Sequence, residues 1–213
     1  MDIISKTIDE YCSKHTSEED LLLATLNRDT HVNVLQPRML SGHFQGRFLS
    51  MISKMIQPKS ILEIGTYTGY SALCLAEGLT ENGKIITLDV NAQLEDFTRN
   101  YFEKSPLHAK IDYRICNAME EIPTMNEDFD LVFIDADKQN YINYYHLIFD
   151  KVKKGGYILS DNVLWSGKVV ETSGKIDKDT QLLQNFNTLI HEDPRVENIL
   201  LPIRDGIMIA RKK

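Results

Sequence analysis

Two acidic clusters hold most of the chemistry in this chain: Asp135-Ala136-Asp137-Lys138 and Asp161-Asn162. Each closes a short apolar run that reads as a β-strand. If those strands are neighbours, Asp135, Asp161 and Asn162 converge on one edge of a sheet. Two carboxylates and an amide carbonyl form a hard oxygen set, suited to Mg²⁺, Mn²⁺ or Ca²⁺ and not to zinc. The plainer alternative is that acidic residues at strand ends cap the next helix, and Asp137 can be read as a cap alone. Lys138 is more telling. An ammonium is disfavoured at the positive end of a helix dipole, and more so beside a divalent cation. A lysine under that pressure can serve as a general base.

A second group stands earlier. Glu63-Ile64-Gly65-Thr66-Tyr67-Thr68-Gly69 follows one strand and precedes a helix, with Ser71 just inside that helix. In open α/β sheets ligands bind beyond the carboxyl ends of the strands. Gly65 lets the chain turn sharply and a ligand approach the backbone. The pattern is neither the G-x-G-x-x-G of dinucleotide binders nor a P-loop with its lysine. It suits a nucleoside-like ligand without a pyrophosphate. Asp89, at the end of the next strand, can accept hydrogen bonds from ribose hydroxyls. Read alone, the glycine turn is an ordinary βα connection.

The elements that must position these groups follow from periodicity. The first 57 residues read as helices: Ile4, Ile8, Tyr11 and Cys12 on one face, then Leu22, Leu23 and Leu26, then Phe44, Phe48, Met51, Ile52, Met55 and Ile56, ending before Pro58. Strands are expected at Ile61–Ile64, Lys84–Asp89, Ile111–Ile115, Phe129–Asp135 and Tyr157–Ser160. Helical stretches lie between them near 69–78, 92–104, 117–122 and 139–151. Such alternation predicts right-handed βαβ units and a mostly parallel sheet. Leu131-Val132-Phe133-Ile134 is apolar without alternation, as in a central strand covered on both faces. Lys168–Lys178 reads as a loop and 179–191 as a helix. Val196–Leu201 and Gly206–Ala210, joined through Asp205-Gly206, read as an antiparallel pair closing the sheet. Tyr141, Tyr144 and Tyr145, at helical spacing, read as packing residues. Trp165 reads as a wall of a substrate pocket.

Composition narrows the partners. The chain has 213 residues, 24 Lys plus Arg against 31 Asp plus Glu, and a net charge of −7. An acidic chain has no long-range pull toward nucleic acid or anionic membrane, so neither is expected as a partner. Cys12, Cys74 and Cys116 are far apart and odd in number, against a disulfide framework or thiolate zinc site. No apolar run approaches the ~20 residues of a membrane span. A cytoplasmic protein is expected, built as a single domain over 1–213 with 1–57 as a helical cap or interface.

The runs LEIGTYTGYSALCLA, FIDADKQNY, GGYILSDNVLWSG and LPIRDGIMIARK, in this order, resemble the cation-dependent O-methyltransferases that include caffeoyl-CoA and catechol O-methyltransferases, especially small bacterial members. The likeness extends from Met39-Leu40-Ser41 to the end of the chain. It implies an α/β, Rossmann-like class I methyltransferase fold with a seven-stranded, mostly parallel sheet. It also implies methyl transfer from S-adenosylmethionine to a hydroxyl of a catechol-like phenol, with a divalent cation, Mg²⁺ for preference. Glu63, Gly65, Thr66, Ser71, Asp89 and Ala118 match cofactor-binding positions, with Asp89 at the ribose and Ala118 by the adenine. Met39 and Ser41 match positions near the methionine part, and Asp135 and Asp137 match positions bordering the cofactor. Asp135, Asp161 and Asn162 match metal ligands, and Lys138 matches the proposed base. Ser166 stands where the plant caffeoyl-CoA enzymes place a substrate-contacting asparagine, which implies a different phenol. Relatives are commonly dimers, so a homodimer is expected. The rival readings are a class I methyltransferase for RNA or protein, an NAD-dependent oxidoreductase, and a nonenzymatic cofactor-binding protein.

Overall fold

The computed structural model describes residues 4–171 and 176–213. In chain order the elements are α1 Lys6–Lys14, α2 Leu21–Asn33, α3 Gly42–Ile56, β1 Ser60–Ile64, α4 Tyr70–Ala76, β2 Lys84–Asp89, α5 Glu95–Lys104, β3 Ile111–Ile115, α6 Ala118–Glu121, β4 Phe129–Ile134, α7 Tyr141–Phe149, β5 Val152–Asp161, α8 Lys178–Glu192, β6 Val196–Leu201 and β7 Ile207–Lys212. Of the loop expected over Lys168–Lys178, residues 172–175 lie outside the described residues. Among the described residues no helix is long and apolar enough to cross a membrane.

The seven strands form one sheet in the order β3-β2-β1-β4-β5-β7-β6. Pairing is parallel from β3 through β5, and β7 runs antiparallel to both β5 and β6. The sheet is Rossmann-like, as expected. β4 sits at its centre, and its uninterrupted apolar run follows from burial on both faces. Val132 and Ile134 join the core formed with α7 and α8, while Leu131 and Phe133 join the core under α2, α3 and α4. Strand order reverses between β1 and β4, which opens a crevice at their carboxyl ends.

Capping side chains fix several helix starts. Asp20 accepts from the Leu23 amide at 2.8 Å at the start of α2, and Asp177 accepts from the Thr180 amide at 2.8 Å at the start of α8.

Two expectations need correction, and α3 adds a finding of its own. β5 begins at Val152, not at Tyr157. Val152 pairs with Phe129 across a register shift, and Gly155, at φ 83°, carries the irregularity that lets the strand resume. β7 runs on to Lys212, because its partners β5 and β6 extend alongside it. The buried side of α3 is not its most apolar side. Gln45, Gly46, Leu49, Ser50 and Ser53 are buried, whereas Met51 and Met55 are 59% and 73% exposed. Small residues face α4 because the two helices pack closely there, and the methionines point outward.

Gly65 ties the centre of the sheet together. It has φ 101°, and a Cβ built on it would lie 1.8 Å from the backbone oxygen of Asp135. Gly42 also has positive φ, 70°, but nothing lies within 4 Å of its Cβ position. Gly65→Ala should therefore cost about 3 kcal/mol, from overpacking plus left-handed strain, and Gly42→Ala only about 1. Denaturant melts of the two variants check this, and equal midpoints would contradict it.

Candidate active site

The crevice at the carboxyl ends of β1, β2, β4 and β5 is a cleft of about 1580 Å³. One end is the cofactor-type end foreseen in the sequence. Gly65, Tyr67, Asp89 and Ala118 line it. Asp89 accepts from the backbone amides of Tyr67 at 2.7 Å and Asn91 at 2.8 Å. One carboxylate oxygen is thus held by the loop that follows β1 and the other by the turn that follows β2, with lone pairs left for a ligand. Met39 lines the same cleft from the short turn after α2.

Glu63, Thr66, Ser71 and Ser41 are buried and do not line the cleft. They stand behind its wall. The Thr87 hydroxyl donates to Glu63 Oε2 at 2.5 Å, and the Thr66 and Thr87 hydroxyls are 2.6 Å apart. Among the described residues the buried Glu63 Oε1 has no partner. Burial, with the charges of Asp135 and Asp89, pushes the Glu63 carboxyl up to about 8, and the Thr87 hydrogen bond opposes this.

The other end of the cleft gathers the acidic clusters. Register places Ile134 opposite Ser160, so the residues that follow, Asp135 and Asp161, emerge side by side. Burial raises both carboxyls, Asp161 to about 7, and the Asp135 charge adds to the effect on Asp161. Donors surround them. Gln45 Nε2 donates to Asp161 Oδ2 at 2.6 Å, and the Asn162 amide donates to Asp161 Oδ1 at 2.7 Å. Lys138 Nζ donates to Asn162 Oδ1 at 2.9 Å and to the Tyr141 hydroxyl at 2.6 Å, and lies 3.6 Å from Asp135 Oδ1. Tyr141 donates in turn to the Asp161 carbonyl at 2.9 Å. Asp137 accepts from Tyr144 at 2.7 Å and from Asn140 at 2.6 Å. Tyr141 and Tyr144 are packed, as expected, but their hydroxyls also belong to the site. Tyr145 instead donates to Asp193 at 2.9 Å.

Among the described residues no three His, Cys, Asp or Glu side chains are gathered to hold a metal. The available oxygen set is Asp135, Asp161 and the Asn162 amide. It fits a hard divalent cation on two counts. The Asp135 charge adds to the burial that raises the Asp161 carboxyl, and the Lys138 Nζ already stands against two of the three candidate ligands, where positive charge is favoured.

The substrate-side wall comes from a strained turn. Asn162, Trp165 and Ser166 have φ 58°, 49° and 54°. The turn is pinned from the β6–β7 connection: Asp205 accepts from the Ser166 amide through its side chain and from the Leu164 amide through its carbonyl. Trp165, 6.0 Å from Lys138 Nζ at its ring centroid, and Ser166 both line the cleft. Sequence reasoning missed three residues here: Gln45, Arg204 and Asp205. Asp205 read only as part of a turn, and Arg204 carried no pattern. The one available signal for Gln45 was a lone amide among the apolar residues of α3.

Comparison with known proteins agrees with this geometry. Residues 13–213 match the model of an O-methyltransferase family. A caffeoyl-CoA O-methyltransferase of Petroselinum crispum is 39% identical, covering 82% of this chain and 77% of that protein. One from Arabidopsis thaliana is also 39% identical, over 82% and 71%. Among solved structures, a Podospora anserina methyltransferase with SAH bound superposes with a TM-score of 0.88 at 29% identity, covering 97% of this chain and 94% of that one. An O-methyltransferase from Bacillus cereus in complex with SAH gives 0.87 at 29% identity, with 97% of each chain covered.

Glu63 supplies a test of the buried wall. Its folded-state carboxyl is raised, so the folded chain holds that proton more tightly than the unfolded chain does. Stability from this group is then greatest below the ordinary carboxyl range and falls as pH rises toward about 8. Glu63→Gln should remove a fall on the order of a few kcal/mol between about pH 5 and about pH 9. Urea melts across that range measure it, and a constant difference between variant and wild type would contradict it. From the glycine loop, the paired strand ends and the relatives together, the chain belongs to the O-methyltransferase family and is an S-adenosylmethionine-dependent O-methyltransferase.

Proposed function

We propose that this enzyme methylates one hydroxyl of a small vicinal diphenol, with a divalent cation, Mg²⁺ for preference, as its second cofactor. The observation that carries this reading is the position of Lys138 Nζ, 2.9 Å from Asn162 Oδ1 and 3.6 Å from Asp135 Oδ1, at the end of the cleft away from Asp89. A base and a hard oxygen set in one place suit an acceptor that must lose a proton while two adjacent oxygens are held.

In this reading Asp89 holds the ribose, Ala118 borders the adenine, and Gly65 admits the methionine part close to the backbone. Met39 closes that part from the N-terminal side with Ser41 behind it, and Asp135 and Asp137 border the cofactor. Glu63, Thr66 and Ser71 act from behind the wall through Thr87 and the glycine loop. Asp135, Asp161 and Asn162 would hold the cation, which when bound supplies charge that favours the phenolate. Lys138, in its amine form, takes the phenolic proton. The phenolic oxygen then forms its bond to the methyl carbon as the carbon–sulfur bond breaks, the electron pair stays on sulfur, and the sulfonium becomes a neutral thioether. Trp165 and Ser166 wall the acceptor so that oxygen, carbon and sulfur stand in line, which lowers the barrier by positioning. The exposed Met51 and Met55 on α3 offer the face for a homodimer. The net charge of −7 argues against nucleic acid or a membrane as partner.

Purified protein with S-adenosylmethionine and a panel of vicinal diphenols should add one methyl, read by mass spectrometry, with Mg²⁺ and not with a chelator. Asp161→Ala should lose this turnover while calorimetry still detects cofactor binding; equal activity with and without chelator would remove the cation from the mechanism. Lys138→Met should lower kcat by about 10²- to 10⁴-fold with cofactor affinity retained. A kcat near wild type would remove Lys138 as the base.

A further inference from the structure

We propose that the methyl acceptor carries a carboxylate, and that Arg204 is the residue that selects it. This rests on the reading above of the cleft as a diphenol O-methylation site and narrows its substrate class.

Arg204 lies in the connection between β6 and β7, on the wall of the cleft and next to Asp205, which pins Ser166. Its backbone is left-handed, φ 47°, a conformation that glycine adopts at less cost. A long charged side chain held there needs compensation from its contacts. Nη1 supplies part of it, donating to the carbonyls of Leu40 at 3.0 Å and Ser41, and reaching Gln45 Oε1 at 3.3 Å. Those bonds fix the plane of the guanidinium against the N-terminal segment.

The rest of the fork is unused. Among the described residues Nε and Nη2 have no acceptor, and no carboxylate forms an ion pair with Arg204. The anions that face it are engaged elsewhere. Asp205 is turned to the Ser166 amide, Asp161 to Gln45 and its own neighbour's amide, and Asp135 to Lys138. Arg204 eases the burial of Asp135 and Asp205 at longer range, which leaves its remaining donors free to bond a ligand. A planar, pre-oriented fork with free donors matches a carboxylate through two parallel hydrogen bonds. On a chain of net charge −7, an anionic ligand needs such a local cation to enter.

Two other roles would leave the same geometry: balancing Asp135, or holding the methionine carboxylate of the cofactor. The experiment separates them. kcat/KM is measured for 3,4-dihydroxycinnamate, its methyl ester and its coenzyme A thioester, with wild type, Arg204→Gln and Arg204→Lys. S-adenosylmethionine affinity is measured by calorimetry. Wild type should prefer the free acid to the methyl ester by about 10- to 100-fold, the range for a charge-assisted pair. Arg204→Gln should lower kcat/KM for the acid at least ~10-fold more than for the ester, and Arg204→Lys should lie between. Overturning results are no preference in wild type, an equal loss on both substrates in Arg204→Gln, or a comparable loss of cofactor affinity. A thioester preferred while the acid is not would also overturn it, by placing the anion far from the ring. Wild-type preference is read without any variant, so a variant that fails to fold still leaves the inference exposed to failure. Methyl transfer to none of the three would instead sink the diphenol reading itself, and this inference with it.

Discussion

Two carboxylates side by side, one fully buried and one mostly so, are the constraint on which the rest of the site depends. Parallel pairing of β4 and β5 brings Asp135 and Asp161 out of the sheet together, where the Asp135 charge and burial both raise the Asp161 carboxyl. Leaving a carboxylate charged in such a place costs several kcal/mol unless donors or cations replace the lost water. The protein supplies them from four separate stretches: Gln45 from α3, Lys138 from the turn after β4, the Asn162 amide from the end of β5, and Arg204 from the β6–β7 connection. The N-terminal helices are therefore more than a cover. Gln45 is the contact through which they reach the reacting end of the cleft, and Arg204 holds Gln45 from the other side.

The two ends of the cleft are coupled at one backbone contact. Gly65 begins the loop that carries the cofactor-type end, and it passes so near the Asp135 carbonyl that no side chain fits. Asp135 in turn opens the stretch that carries Lys138. A shift of the glycine loop therefore moves the strand end that leads to Lys138, the proposed base. Behind the loop, Thr66, Thr87 and Glu63 form a short hydroxyl chain ending at a carboxyl whose other oxygen has no partner among the described residues. With Glu63 ionised, Thr87 donates inward and Thr66 must donate to Thr87, which leaves Thr66 only an acceptor on its outer side. The protonation of a residue that never reaches the cleft thus sets the hydrogen-bonding sense of the loop that does.

The strand ends were legible because they are local. β2, β3 and β6 have the expected bounds, and the acidic residues stand where an apolar run stops. The mostly parallel sheet followed from strand–helix alternation, and its antiparallel closing pair from an Asp-Gly turn before the last strand. The period of α3 marks a helix and leaves its buried side open: a close helix pair selects Gly46, Ser50 and Ser53 for the contact and leaves Met51 and Met55 outside. Gln45 and Arg204 were illegible for a different reason. Their partners lie 116 and 159 residues away, and no spacing rule links a side chain to an acceptor at that distance. Tyr141 shows the limit from the other side: its ring is core, as its period says, while its hydroxyl bonds Lys138, which period cannot say.

The division of labour between regular and irregular backbone follows from these contacts. The groups proposed to do the chemistry, Asp135, Lys138 and Asp161, sit at or just beyond the ends of central strands whose register admits no slip without moving core residues across the sheet. The groups that would meet the rest of the acceptor sit in turns with left-handed residues: Asn162, Trp165, Ser166 and Arg204. These two turns hold each other through Asp205 and through the Val163 amide, which donates to the Gly206 carbonyl. Side chains there can change at the cost of a turn, and side chains at the strand ends only at the cost of the sheet. An enzyme of this design keeps its reaction while its acceptor drifts, and Ser166 and Arg204 are the positions at which that drift is least constrained by packing.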